Sequence, residues 1–265
     1  MYNSQNGICV IHDCGFFSCF SQRLGQIIKY ANLNREFPPY IDSSKQFSIF
    51  KSNNSFLDIS YEFLNINLLI PKYTNVVNFT DQFTDYKKLN FDLLNPIITT
   101  YFQPSKHVVN TIKYFEKQYN LNYENTCAIF YRGNDKHYEC TIANYEDYIK
   151  QALKVQSDNP NINFFIQTDD SLFIKFCIDN LKNIFYIREI PTIHDSSSAV
   201  VYTLPTEQRI EHGVKFLAAT NIVAKCKFLI THSGNCGYWA SLYRGKSDGI
   251  IQCFTDETKQ PTKWI

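Results

Sequence analysis

The chain has 265 residues, of which 44% are hydrophobic and 19% charged, and its formal charge is +1. That balance describes a globular protein of one large or two modest domains, and it excludes recruitment of nucleic acid or an anionic membrane through net charge. No apolar run approaches the roughly 20 residues of a membrane span, and the start "MYNSQNGICVIHDC" lacks the basic stretch and apolar core of a signal peptide, so a cytoplasmic protein is expected.

In chain order, "GICVIHDC" (7–14) reads as a short apolar strand. After the turn "GFFS", Phe20, Leu24, Ile27, Ile28 and Ala31 fall at helical spacing, with Ser18 or Ser21 able to cap. The prolines of "FPPYID" (37–42) end that helix and begin an extended segment. Between 43 and 100 the signals are weak: "FLDISYEFLNINLLI" and "TNVVNFT" are strand-like without clear periodicity. From Ser105 the pattern sharpens, with Val108, Ile112, Phe115 and Tyr119 on one helical face before an apolar strand over 127–131. A regular alternation follows: helix 144–155, strand 162–167, helix 171–180, strand 183–187, helix 206–225, strand 227–231, helix 235–244 and strand 249–253.

Helices of that length between continuous apolar strands predict right-handed crossovers and a parallel sheet covered on both faces. Residues 105–265 are therefore expected to form a Rossmann-like domain, and the proline in "FQPS" marks a boundary after an N-terminal α/β domain of residues 1–104. The nine cysteines lack a Cys-x-x-Cys pair and sit mostly in apolar runs, as reduced core thiols do; Cys14 and Cys19, flanking a loop, are the pair to test for chemistry.

In an open parallel sheet, ligands bind beyond the carboxyl ends of the strands. Three such ends carry unusual residues: "YRGNDKHYE" (131–139), "QTDD" (167–170) and "THSGN" (231–235). The first brings Arg132, Asp135, Lys136, His137 and Glu139 to one rigid mount, although taken alone such a cluster also describes a solvated turn with surface ion pairs. In the third, the small residues of Ser233, Gly234 and Asn235 precede a helix, which aims free backbone N–H groups at an anion. Asp169 and Asp170 in the second serve equally as a helix cap, or as a ligand pair for Mg²⁺ or Mn²⁺ in a metal-dependent transferase or phosphohydrolase, but no second acidic cluster lies nearby in sequence. His12, His137, His194, His212 and His232 lack metal-ligand spacing and read as turn or supporting residues.

The order "FYRGNDK…E", "IQTDD", a long helix, then "FLITHSGNCGYWASLYRG" resembles the C-terminal half of the fucosyltransferase superfamily that includes the α-1,6-, nodulation and protein O-fucosyltransferases. The resemblance covers about residues 105–253, and "GFFSCFSQRLGQIIKYANLNREFPPYID" is similar to that superfamily's opening strand, loop and helix with fewer glycines. It implies the GT-B arrangement of two facing Rossmann-like domains with parallel sheets, an inverting and metal-independent transfer from a nucleotide sugar to a glycan hydroxyl, and no cofactor. By the same resemblance Arg132 grips the donor diphosphate, Asp135 and Lys136 follow in the motif, and Glu139 falls, with a one-residue gap, at a candidate base. Thr231, Ser233, Gly234 and Asn235 match the phosphate-holding loop, and Asp169 and Asp170 the second motif. Two positions depart from the pattern: Phe130 replaces a histidine that helps hold guanine, and the acidic residue expected near 219 is replaced within "FLAATN". The expected donor is therefore GDP-fucose or a UDP-sugar such as UDP-xylose. A catalytically inactive nucleotide- or glycan-binding module is the alternative.

Overall fold

The computed structural model describes residues 7–52, 57–65, 70–194, 198–256 and 262–265. Strand β1 (Ile8–Ile11), helix α1 (Phe16–Asn34) and strand β2 (Ile41–Lys45) come first, and the two strands pair in parallel with Ile8 opposite Ile41. Helix α1 buries Phe16, Phe20, Leu24, Ile27, Ile28 and Ala31, an inward stripe of three- and four-residue steps. It stops at Arg35, whose backbone turns left-handed so that its N–H bonds back to the Ala31 carbonyl.

Next come a short helix α2 (Ser60–Phe63), strand β3 (Leu64–Asn65), helix α3 (Phe91–Tyr101) and strand β4 (Gln103–Pro104), with β3 and β4 antiparallel. Two expectations change here. The strand-like run 56–70 is a helical turn and a two-residue strand as far as it is described, residues 56 and 66–69 lying outside the described residues. "TNVVNFT" forms no strand, because the side chain of Asn32 accepts from Val77 N–H (3.1 Å) and donates to the Val77 carbonyl (2.8 Å), satisfying groups that a ladder would otherwise engage. Helix α3 was unexpected; Asn90 caps it by accepting from Leu93 N–H, and Pro96 lies inside it.

From Ser105, whose hydroxyl caps the next helix by accepting from Val108 N–H at 3.2 Å, the expected alternation is present. It runs α4 (Lys106–Gln118), β5 (Thr126–Tyr131), α5 (Tyr145–Asp158), β6 (Asn163–Thr168), α6 (Ser171–Asn180) and β7 (Ile184–Phe185). It continues through α7 (Val200–Thr203), α8 (Thr206–Lys225), β8 (Phe228–His232), α9 (Asn235–Arg244), β9 (Ile250–Phe254) and β10 (Lys263–Trp264). Strand β7 is shorter than expected and β10 is an additional antiparallel edge.

The sheet order is β10-β9-β8-β5-β6-β7, with β5 to β9 parallel. Side chains alternate across β5: Cys127, Ile129 and Tyr131 pack with α5 and α6, whereas Ala128 and Phe130 face the core shared with α8. That second core is continuous with the N-terminal elements, since Val10, Phe17, Phe20 and Phe102 belong to one cluster with Val214, Leu217 and Trp239. The fold is therefore mixed α/β around a parallel sheet. In the N-terminal region the described parallel pairing is the single pair β1 and β2. No helix among the described residues is long and apolar enough to cross a membrane.

Candidate active site

Strand order reverses between β5 and β8, which are neighbours in the sheet although about 100 residues apart in sequence. A crevice opens beyond their carboxyl ends, because the crossovers leaving them turn to opposite faces of the sheet. The loop after β5 carries Arg132 to Glu139, the loop after β8 carries Ser233 and Gly234, and both open onto a cleft of about 400 Å³. Its opposite wall is the start of α1 with the loop before it, Cys14 to Ser18, so the cleft lies between N-terminal and C-terminal elements.

Arg132 is mounted on the end of a fully buried strand. Its Nη2 donates to Asp135 Oδ1 at 2.8 Å and its Nη1 lies 3.0 Å from Asp169 Oδ2. Burial alone would depress the guanidinium pKa, but Asp169, and then Asp135 and Glu139, more than compensate, so the group is held firmly protonated. Asp169 also accepts from Gly133 N–H at 3.0 Å, which ties the β6 loop to the β5 loop. A side chain at Gly133 would collide with the Tyr131 ring, so the turn needs glycine.

Lys136 is buried and donates to Glu139 Oε2 at 2.5 Å and to Gln82 Oε1 at 3.1 Å. Gly234 caps α9 at φ 153°, and a Cβ there would stand 2.8 Å from the Lys136 side chain. The residue is glycine for both reasons. Asn235 N–H donates to the same Gln82 oxygen at 2.8 Å, and Gly234 N–H is taken by the Gln82 carbonyl and the Tyr86 hydroxyl. His232, at the end of β8, is 1% exposed and lines the cleft. Neither ring nitrogen has a hydrogen-bond partner among the described residues, and burial, reinforced by Lys136 and Arg132, pushes its pKa down to about 3. His212 on α8 also lines the cleft, and burial with Arg132 and Lys215 brings it to about 4.

The expected site residues thus divide. Arg132, Asp135, Lys136, Glu139, Asp169, Gly234 and Asn235 line the cleft. Thr231, Ser233 and Asp170 are buried in its wall with their polar atoms engaged by protein. Thr231 donates to the Phe130 carbonyl; Ser233 accepts from Gln252 Nε2 (2.9 Å) and Thr255 N–H (3.1 Å); Asp170 caps α6 through Leu172 N–H and also meets Tyr145 and His194. For Asp170 the capping alternative holds. His137 and His194 are turn residues as expected, whereas His212 and His232 belong to the cleft. Cys14 is exposed at the cleft, Cys19 is buried with its thiol on backbone carbonyls, and both are free.

Gln82 and Tyr86 were not legible, because they lie in the stretch without periodicity. His232 had a signal, its place inside "THSGN" beside the predicted helix start. Among the described residues no group of three or more His, Cys, Asp or Glu side chains is placed to hold a metal ion.

No protein-family model matches the chain, and no curated protein does. Solved structures of NodZ α-1,6-fucosyltransferase are similar to it. The form co-crystallised with GDP is 12% identical with a TM-score of 0.42, over 64% of this chain and 50% of that one. The form soaked with GDP-fucose is 13% identical with a TM-score of 0.42, over 67% and 53%. A NodZ structure from Bradyrhizobium is 12% identical with a TM-score of 0.36, over 60% and 47%. The chain spans about half the length of the structures it matches, and these are members of the group that its motifs resemble.

Proposed function

We propose that the protein is an inverting glycosyltransferase that moves a sugar from a nucleoside diphosphate sugar to a glycan hydroxyl without a metal ion or other cofactor. The observation that carries this reading is the convergence, at the switch point between β5 and β8, of Arg132, Lys136 and the N-terminus of α9 around one cleft. Two cations and a helix start suit a diphosphate, which is what a nucleotide sugar presents. In the GT-B-like arrangement we assign, residues 105–265 hold the donor and residues 1–104 form the acceptor side; the protein acts in the cytoplasm. The donor is GDP-fucose or a UDP-sugar, because Phe130 stands where the resembled family reads guanine.

The chemistry follows from those groups. The acceptor oxygen bonds to the anomeric carbon from the face opposite the diphosphate, the carbon–oxygen bond to the diphosphate breaks, and its electron pair leaves on the nucleotide. Arg132 and Lys136 stabilise that departing charge. The acceptor proton passes to Glu139 or, as second choice, Asp135. Both carboxylates are ion-paired, Glu139 to Lys136 and Asp135 to Arg132, and this favours the alternative, a catalytically inactive nucleotide- or glycan-binding module.

Calorimetric titration of GDP, UDP and their sugars, with and without EDTA, tests the reading. Binding should survive chelation, and Arg132→Lys should weaken it at least about tenfold, since an ammonium cannot make the guanidinium fork. Binding lost in EDTA would refute metal independence, and wild-type affinity in the lysine variant would remove Arg132 from the clamp. Release of sugar from a bound donor separates the enzyme from the inactive module.

A further inference from the structure

The amides of Gly234, which caps α9, and of Asn235, its first residue, and the Lys136 ammonium are the donors that an anion would use, yet Gln82 meets all three through its carboxamide and its backbone carbonyl, while Glu139 shares Lys136 and the Tyr86 hydroxyl shares the Gly234 N–H. Gln82 Oε1 accepts from Lys136 Nζ at 3.1 Å and from Asn235 N–H at 2.8 Å, and the Gln82 backbone carbonyl accepts from Gly234 N–H at 3.1 Å. The carboxamide oxygen thus bridges a buried cation and a helix start, a position suited to a phosphate oxygen. Beside it His232 presents an imidazole without a hydrogen-bond partner among the described residues, 1% exposed and facing the cleft, so the local donor set extends past what Gln82 fills.

Gln82 reaches this place on a strap, residues 80–86, that crosses the start of α9. The strap is anchored independently of the carboxamide: Tyr238 donates to the Thr80 carbonyl at 2.8 Å, Tyr86 N–H donates to Gln252 Oε1 at 2.9 Å, and Gln252 Nε2 donates to the Thr84 carbonyl at 3.0 Å. The side chain can therefore leave while the strap stays.

We propose that Gln82 is an affinity-determining residue that holds the place of a diphosphate oxygen and must swing away when the ligand enters; this rests on the reading of the cleft as a diphosphate site. A neutral carboxamide is a weak competitor for these donors, because a phosphate oxygen makes charge-assisted bonds to the same groups. The competition still reduces apparent affinity by the fraction of time the position is free. A contact present about nine-tenths of the time weakens binding about tenfold.

The test titrates inorganic pyrophosphate, and then GDP and UDP, into the full chain and its Gln82→Ala and Gln82→Glu variants, with circular dichroism and thermal unfolding to establish that each is folded. Gln82→Ala should bind pyrophosphate more tightly, by about three- to tenfold. Gln82→Glu keeps the shape but places a carboxylate on Lys136 and the helix start, so it should bind at least about tenfold more weakly. The sign for alanine is decisive, because a residue that contacts the ligand or merely anchors the loop loses affinity, or leaves it unchanged, when truncated. If the wild type binds and Gln82→Ala binds no more tightly, the inference about Gln82 is wrong and the diphosphate site stands. If neither binds pyrophosphate or nucleotide at millimolar concentration, the diphosphate site is wrong and the inference falls with it.

Discussion

At the scale of the residue, a carboxylate and an imidazole in the cleft make separate, measurable claims. Should Glu139 accept the acceptor's proton, Glu139→Gln retains donor affinity while transfer falls roughly 10²–10⁴-fold, the usual contribution of a positioned base. Asp135→Asn belongs in the same assay: full transfer in Glu139→Gln with none in Asp135→Asn moves the role to Asp135, and full transfer in both removes it from this loop. His232 predicts a pH dependence of stability. Its folded pKa is pushed down to about 3 from 6.5, so below 6.5 the unfolded chain binds a proton that folded His232 refuses. Its contribution to stability is complete above that pH and is lost as pH falls toward about 3, with a slope approaching about 1.4 kcal/mol per pH unit. His212, brought to about 4, acts in the same direction. Denaturant midpoints between pH 7 and 4 should therefore fall steeply for the wild type and less steeply for His232→Phe, whereas parallel profiles would show that His232 is not buried neutral.

At the scale of the element, the site depends on how closely α9 approaches the end of β8. Gly237 permits that approach, since a Cβ there would lie 2.5 Å from the His232 carbonyl oxygen and 2.7 Å from Thr231 Oγ1. The nearest obstacle is backbone, so the clash is relieved only by moving the helix start. Gly237→Ala should cost about 1–3 kcal/mol in urea unfolding. It should also weaken nucleotide binding, because Asn235 N–H moves away from Lys136. Full stability and affinity in this variant would show that the helix start tolerates displacement. Helix α3 gives the complementary lesson in reading a sequence. Leu94, Ile97, Ile98 and Tyr101 do fall at helical spacing, but Pro96 reads as a breaker: as the sixth residue of the helix it removes the bond that an N–H would give to the Asp92 carbonyl, and burial of that apolar stripe outweighs the loss.

At the scale of the whole molecule, the two sides of the cleft share one core. The rings of Phe17 and Trp239 stack with centroids 6.3 Å apart, Trp239 Nε1 donates to Ser21 at 2.9 Å, and Ser21 donates to Asn235 Oδ1 at 2.7 Å. Gly213 on α8 lies so close to Phe63 that a Cβ would come within 2.8 Å of its ring. Thermal unfolding should therefore be a single transition, with van't Hoff and calorimetric enthalpies in agreement. Residues 105–265 expressed alone should expose Trp239, Leu217 and Val214 and bind a hydrophobic dye. A soluble 105–265 segment with the stability of the intact chain would overturn the shared core.

Periodicity along the chain was sufficient for the parallel sheet, its crossovers and the three loops that deliver Arg132, Asp169 and Gly234, because burial of one helix stripe or one strand face is a local pattern that residue spacing records. It was also sufficient to place Arg132 and the helix start of α9 at strand ends, whereas the pairing of β5 with β8 that makes those ends neighbours is tertiary. Only the tertiary structure decided the state of those groups. Arg132 is already paired with Asp135 and Asp169, and Ser233 supports the loop from beneath instead of facing the cleft. His232 is held neutral by burial, and Gln82 arrives from a stretch without periodicity to engage Lys136 and the Asn235 N–H. Each outcome depends on partners distant in sequence and on exclusion of water, and a spacing pattern records that a face is buried without recording what it is buried against.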